Sequence, residues 1–188
     1  MESPVKVKIR PFSELTGTEI ASIIRLMNAE SDETLSFDDF EDDFLNDSIL
    51  CTAYVPRGVL LDLAGYAVVS RRLNAATPSG TTGYLSNILV ASSHRGKGVG
   101  TRLLSSCLEA SPHMFLYVGT DNKGAINLYE KHGFHIESFV PYFYQEWEPS
   151  SVMSRRAQAI YADAFLMTTM EPESGAFAYG QPIRRKAE

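Results

Sequence analysis

Six consecutive residues, Arg95-Gly96-Lys97-Gly98-Val99-Gly100, put glycine at every second position between a strand-like apolar run and a helix-like one. Without side chains at 96, 98 and 100, backbone N–H groups can approach and surround an anion at the start of the helix. That arrangement suits a pyrophosphate. Two other phosphate loops do not fit the spacing. A G-x-x-x-x-G-K-[ST] loop needs glycine at 91, where the chain has Ala91, and a G-x-G-x-x-G turn from Gly96 needs glycine at 101, where it has Thr101. By itself the run also fits a connection that merely turns the chain, so its neighbours must decide.

Other residues with chemical potential are sparser. Tyr84 opens the strand before the turn, and no carboxylate occurs between Thr81 and Ser93. Nine acids crowd Glu30 to Asp47: Glu30, Asp32, Glu33, Asp38, Asp39, Glu41, Asp42, Asp43 and Asp47. They suit either a solvated helix face opposite Phe37, Phe40 and Phe44 or a surface that attracts a cationic substrate. His94, His113, His132 and His135 lack metal-ligand spacing, so no metal is expected. Cys51 and Cys107 sit in apolar stretches and are expected as buried thiols.

These residues need elements to position them, and periodicity supplies an order. Val5, Val7 and Ile9 alternate with Lys6, Lys8 and Arg10, a half-buried strand ending at Pro11. Helical spacing follows in Ile20, Ile23, Ile24 and Met27, and again in Phe37, Phe40 and Phe44. Ile49–Val55 and Val59–Val69 read as a hairpin turning at Pro56-Arg57-Gly58. Asn74 to Gly83 reads as a loop and Tyr84–Val90 as a strand, followed by the glycine turn and a helix ending near Ala110. A strand at Met114–Val118, a helix at Lys123–Lys131 stopped by Gly133, and strands at Phe134–Trp147 and Ile160–Met170 complete the order βααβββαβαββ. Trp147 is expected to pack.

The chain has 188 residues, 44% of them hydrophobic, which predicts a single domain over 1–170 with an insertion at about 148–159. Residues 171–188 carry Pro, Gly and mixed charge without periodicity and are expected to form a mobile tail. A net charge of −6 argues against nucleic acid or an anionic membrane as partner. No basic-then-apolar leader and no apolar run near ~20 residues occurs, so a cytoplasmic protein without a membrane span is expected.

The glycine turn resembles the R/Q-x-x-G-x-G/A signature of GNAT acetyltransferases, preceded as in that family by a strand, Tyr84-Leu85-Ser86-Asn87-Ile88-Leu89-Val90. Asn122 to Phe134 (NKGAINLYEKHGF) is similar to the N-x-x-A-x-x-x-Y-x-x-x-G-F pattern that closes the cofactor site there. The resemblance spans about residues 5 to 147. It implies an α/β fold around a twisted, mainly antiparallel sheet that splays at strands four and five, where the pantetheine of acetyl-CoA inserts. It further implies that Ile88, Leu89 and Val90 offer backbone groups to acetyl-CoA and that Arg95, Gly96, Lys97, Gly98, Val99 and Gly100 hold its pyrophosphate. Asn122 and Tyr129 join that cofactor set, and Tyr129 protonates the leaving thiolate. Transfer is then direct, in a ternary complex, since no cysteine is placed as an acyl carrier.

Phe139-Val140-Pro141-Tyr142-Phe143-Tyr144 and, later, Tyr161-Ala162-Asp163-Ala164-Phe165-Leu166-Met167 look like the ending of the N-alpha-acetyltransferase branch. That resemblance implies a peptide or protein N-terminus as acceptor, with Phe37, Tyr142, Phe143 and Tyr144 as substrate contacts; an auxiliary subunit or ribosome association is left open. Tyr84 matches a strand tyrosine in the branch's base system, while Tyr117 stands where a partner histidine is found. Elementary acid–base chemistry agrees with the acceptor class: an α-amine of pKa about 7.7–8.0 is roughly a quarter neutral near pH 7.4, a lysine only ~0.1%. A tyrosine-and-water system therefore suits an α-amine better than lysine. Amino sugars or polyamines are the alternative acceptors, and a non-catalytic acetyl-CoA-binding scaffold is the alternative of another class.

Overall fold

The computed structural model describes residues 5–30, 48–74, 77, 79–146 and 160–170. Seven strands form one sheet: β1 (Lys6–Pro11), β2 (Ser48–Arg57), β3 (Leu60–Leu73), β4 (Thr81–Val90), β5 (Met114–Gly119), β6 (His135–Glu146) and β7 (Ile160–Thr168). Among the described residues there are three α-helices: α1 (Gly17–Glu30), α2 (Val99–Ala110) and α3 (Lys123–Glu130). The strand order is β1-β2-β3-β4-β5-β7-β6, antiparallel throughout except between β4 and β5. This is the mainly antiparallel mixed sheet expected. The helix expected around Phe37, Phe40 and Phe44, the 148–159 insertion, Trp147 and the 171–188 tail lie outside the described residues. Among those described, no helix is long and apolar enough to cross a membrane.

The hairpin turn lies one step later than its composition suggested. Pro56 pairs with Leu61 and Arg57 with Leu60, leaving Gly58-Val59 as a two-residue connection. Gly58 has φ 61°. Tight hairpin turns need positive φ at the first central position, which glycine supplies and proline cannot. β4 likewise starts three residues before Tyr84, pairing Thr81 with Leu73.

Helices pack on both faces of the sheet. On one side Ile20, Ile23 and Met27 of α1 cover Leu50, Tyr66 and Val68. On the other, Val99, Leu103, Leu104 and Cys107 of α2 cover Cys51, Ala53, Ala67, Val69 and Leu85. Each fully buried Leu there contributes about 1.5–3 kcal/mol. Cys51 and Cys107 are both fully buried, their Sγ atoms 3.5 Å apart, and both are thiols.

A bulge in β4 sets where its side chains point. Val68 pairs with Asn87 and Val69 with Leu85, so Ser86 is the extra residue. Strict alternation would place residues 84, 86 and 88 on one face. With Ser86 inserted, Leu85, Ile88 and Val90 face α2 whereas Leu89 faces α1. Bulges also bend a strand and increase its twist. Beyond it the partnership with β5 is gone: β4 and β5 share only Gly83↔Met114 and Tyr84↔Phe115. The two strands fork from there, as the splay expected at strands four and five requires.

α1 begins with a capping box. Thr16 Oγ1 accepts the Glu19 N–H at 3.3 Å, and Glu19 Oε2 accepts the Thr16 N–H at 3.1 Å and its hydroxyl at 2.9 Å. Glu19 also pairs with Arg10 of β1. The Arg10 hydrogen bond, then the Thr16 N–H, lowers the Glu19 carboxyl to about 2. A carboxyl depressed below its unfolded value of about 4.3 stabilises fully above about pH 5 and loses that contribution as pH falls toward 2. Glu19→Gln should lower Tm by roughly 1–3 °C at pH 7. Melting curves should show the gap to the parent narrowing between pH 5 and pH 2; a gap of constant size would remove the ionised pair as its cause.

Candidate active site

The expected cofactor side is the connection from β4 to α2. A 3₁₀ turn at Ser92–His94 leads into Arg95, and Gly98 caps α2 in the left-handed region at φ 75°. Gly96 is also left-handed, at φ 73°. A Cβ at either would meet no atom within 4 Å, so the space before these residues is open. Gly98 O accepts the Arg102 N–H at 3.1 Å, while N–H groups of the first helical turn have no partner within a helix and point out of it. Together the two left-handed glycines and the helix start form a cradle for an anion. At Gly100 a methyl would lie 3.4 Å from Leu128 Cδ2, ordinary contact, so that position tolerates alanine.

The two cations of the turn are held by specific acceptors. Lys97 Nζ donates to Ser93 O at 2.8 Å. Arg95 donates through Nε to Val90 O at 3.1 Å and through Nη2 to Glu30 Oε2 at 2.6 Å. Glu30 Oε1 accepts the Ser92 N–H at 2.7 Å. That N–H, with Arg95, keeps the Glu30 carboxyl below its ordinary range. Glu30 is thus tied to the glycine turn; the other members of the acidic segment lie outside the described residues.

On the α1 side of the fork an aromatic cluster assembles. Tyr84 stacks on Phe115 at 5.0 Å and meets Tyr117 edge to face at 6.2 Å. Phe143 stacks on Tyr117 at 4.2 Å. The Arg72 guanidinium lies 5.7 Å from the Tyr84 ring centre. Phe143 reaches this position through an irregular stretch of β6, where residues 141–143 bulge opposite Asp163. Tyr142, which has positive φ (55°), donates its N–H to Asp163 Oδ1 at 2.9 Å. Burial raises both phenols above their ordinary range; for Tyr84 the neighbouring Tyr117 adds to the rise and Arg72 opposes it. Both are therefore neutral hydroxyls at pH 7.

The Asn122–Phe134 pattern has a structural meaning of its own. Asn122 Oδ1 accepts the Ala125 N–H at 3.1 Å, capping α3. At the other end the Phe134 N–H reaches Tyr129 O at 3.1 Å and the Gly133 N–H reaches Glu130 O at 3.1 Å, with Gly133 at φ 86°. This is a Schellman closure, and the apolar contact that accompanies it is Tyr129 against Phe134 at 5.7 Å. Tyr129 is 5% exposed and lies in the core on the α2 side.

The structure thus brings Tyr84, Tyr117 and Phe143 together, and it sets Arg95, Gly96, Lys97, Gly98, Val99 and Gly100 in one turn at the end of β4. Ile88, Leu89 and Val90 pair with Ala67, Tyr66 and Gly65 of β3, past the point where β4 leaves β5. Gly65 is required there, because a Cβ would come within 2.6 Å of Leu89 O. Tyr129 and Asn122 sit with α3, apart from the tyrosine cluster. Tyr142 is 65% exposed. Phe37 and the side chain of Tyr144 lie outside the described residues. Phe115, Arg72 and Glu30 are added to the candidates. Phe115 could have been found by its spacing of two from Tyr117; no sequence signal marks Glu30 among nine acids. A cavity of about 340 Å³, lined by Arg71, Thr81, Gly83, Ser111 and His113 among others, adjoins the start of β4, whereas the turn follows its end. Among the described residues, no three His, Cys, Asp or Glu side chains are placed to hold a metal ion.

Residues 18–134 match the acetyltransferase (GNAT) family. The chain belongs to that family. It is 38% identical over 74 residues to N-alpha-acetyltransferase 60 of Drosophila melanogaster, covering 35% of this chain and 27% of that protein. It is 46% identical over 57 residues to the uncharacterized N-acetyltransferase YobR of Bacillus subtilis, covering 28% of this chain and 23% of that one. The matches span about a quarter of the length of these relatives. The fold is similar to that of Arabidopsis thaliana NAA60, solved in complex with a bisubstrate analogue, at TM-score 0.65 and 17% identity over 87% of this chain and 98% of that one.

The cradle can be tested by filling it. Acetyl-CoA at about 100 times its Kd should raise Tm by roughly 5–10 °C. Gly98→Glu and Gly98→Ala both force a left-handed side-chain-bearing residue and should lose about 2–6 °C without ligand. The carboxylate should also abolish the acetyl-CoA shift, whereas alanine should keep most of it; equal shifts in the two variants would take the anion away from Gly98.

Proposed function

We propose that this GNAT protein transfers the acetyl group of acetyl-CoA to the α-amino group of a peptide or protein N-terminus, by direct attack within a ternary complex. The observation that carries this reading is the fork of β4 from β5, with the glycine turn at the end of β4 and the tyrosine cluster at the origin of the fork. N–H groups of the turn and the start of α2 take the pyrophosphate, leaving the pantetheine to run along Ile88–Val90. The Leu89 N–H is the donor proposed for the carbonyl oxygen as negative charge develops there. The amine enters from the α1 side, past Tyr142 and Phe143, and meets the carbonyl beside Tyr84.

Tyr84 and Tyr117 are neutral, so neither takes the amine proton as a tyrosinate. Their hydroxyls instead hold a water that accepts it, a relay that demands little of an α-amine because part of it is already deprotonated near neutral pH. Tyr129, on the α2 side, is the proposed proton donor to the departing CoA thiolate. The bisubstrate analogue in NAA60 supports a bound acceptor in a fold of this kind.

Peptides with a free N-terminus should react faster than the same peptides blocked at the N-terminus and carrying an internal lysine, read by mass spectrometry. Faster acetylation of the blocked lysine peptide, of polyamines or of amino sugars would replace the acceptor class, and acetyl-CoA binding without turnover on any amine would replace the enzyme with a scaffold.

Tyr84→Phe keeps the ring on Phe115 and removes the hydroxyl. It should lower kcat at neutral pH by about 100-fold while acetyl-CoA affinity and Tm hold. Since the raised Tyr84 pKa keeps the phenol protonated across the working range, the alkaline rise in rate comes from the amine, with pKa about 7.7–8.0. The variant should therefore recover part of its deficit towards pH 9. Parental kcat across pH 6.5 to 9 would remove Tyr84 from the relay.

A further inference from the structure

We infer that Glu30, the last residue of α1, is a positioning residue for acetyl-CoA: its carboxylate bridges the Ser92 N–H and the Arg95 guanidinium and so sets the glycine turn in its binding-ready form. The bridge is made of two short hydrogen bonds, 2.7 and 2.6 Å, between residues 62 and 65 positions apart. Among the described residues, the other side-chain contacts of the turn are local: Lys97 to Ser93 and Arg95 to Val90. The Glu30 side chain is 10% exposed and the Arg95 side chain 61%. The acid is thus packed against the connection while much of the guanidinium faces solvent.

The consequence follows from the geometry of arginine. A guanidinium has five N–H donors in one plane. Fixing Nε on Val90 O and Nη2 on Glu30 Oε2 defines that plane and leaves the remaining donors for an anion in front of the turn. A free arginine would have to surrender rotamer entropy when it met phosphate; this one has surrendered it already. Glu30 also compensates Arg95 in the absence of ligand. Meanwhile the Ser92 N–H, at the beginning of the 3₁₀ turn, is held by a carboxylate that comes from the opposite side of the sheet from α2. A bare carboxylate near a pyrophosphate would repel it, and the pairing with Arg95 is what prevents that.

This inference rests on the acetyl-CoA reading, and the experiment separates the two. Steady-state kinetics and calorimetric acetyl-CoA titration are run on the parent, Glu30→Gln and Ser92→Pro. Glu30→Gln keeps the shape and removes the negative charge that faces Arg95. Ser92→Pro removes the N–H donor without touching Glu30. Proline is compatible there because Ser92 opens a 3₁₀ turn and the preceding Ala91 has φ −50° and ψ 135°. Both variants should raise Kd and KM for acetyl-CoA about tenfold, the scale of one lost charge-assisted hydrogen bond. Both should change kcat and the KM of the acceptor by less than twofold. In a Ser92→Pro/Arg95→Gln background, which lacks both partners, Glu30→Gln should add less than twofold. A parent that binds no acetyl-CoA would refute the proposed function and this inference with it. A parent that binds while both variants bind equally well, or more tightly, would refute Glu30 alone, as would a loss spread evenly over kcat, both KM values and Tm. Should Glu30→Gln fail to fold, Ser92→Pro decides by the same criteria.

Discussion

The site depends on how early β4 parts from β5. Two register pairs, Gly83↔Met114 and Tyr84↔Phe115, hold the strands together. One extra residue, Ser86, then lies between the pairs that β4 makes with β3. A sheet interrupted in its middle loses ladder hydrogen bonds, and the backbone groups facing the gap need other partners. The fold accepts this because both halves are otherwise anchored: β1 to β4 between α1 and α2, and β5 to β7 through the long antiparallel pairings of β7. A slot lined by backbone donors and acceptors, between two rigid halves, is what an extended amide-bearing chain such as pantetheine can use.

The same bulge separates two environments that the chemistry needs to keep apart. By shifting the alternation, it leaves Tyr84 on the face of α1 while Leu85, Ile88 and Val90 complete the core beneath α2. The aromatic cluster of Tyr84, Phe115, Tyr117 and Phe143 consequently forms away from the glycine turn and half-buries both tyrosines. That partial burial is also what raises both phenols. A phenol raised by burial is not a tyrosinate at neutral pH, so in the proposed reaction proton removal passes through a hydrogen-bonded relay.

Much of this was legible in the sequence, for physical reasons that differ by residue. The glycine turn was legible because its demand is local: positive φ at Gly96 and Gly98 leaves few other residue types. The Asn122–Phe134 pattern was legible because it marks the two ends of one short helix, from the Asn122 cap to the Gly133 reversal with Phe134 folded back on Tyr129. Alternation and helical period gave the strands and their order. What escaped were features settled between distant segments. Ser86 looks like any strand residue, since a bulge is a register relation with β3 and not a local preference. Gly58 was read as the last turn residue when it is the first of a two-residue turn. Glu30 was one acid among nine; its distinction is that α1 ends beside Ser92 and Arg95, which no periodicity encodes.

Those distant relations converge on β4, the strand that carries both sides of the proposed reaction. Its first residues hold the tyrosine of the acceptor side and its last lead into the cradle for the cofactor, so the distance between the two is set by strand geometry, about 3.3 Å per residue, rather than by loop conformation. A site placed on a strand is more precisely held than one placed on loops. The loops that remain, at Ser92–Gly98 and at residues 141–143, are each pinned by a carboxylate reaching a backbone N–H: Glu30 on Ser92 and Asp163 on Tyr142. Both pins cross from one element to another, and both immobilise a left-handed or turn segment that would otherwise lose entropy on binding. In this chain preorganisation of the proposed site is therefore the work of two acids that touch no reacting atom.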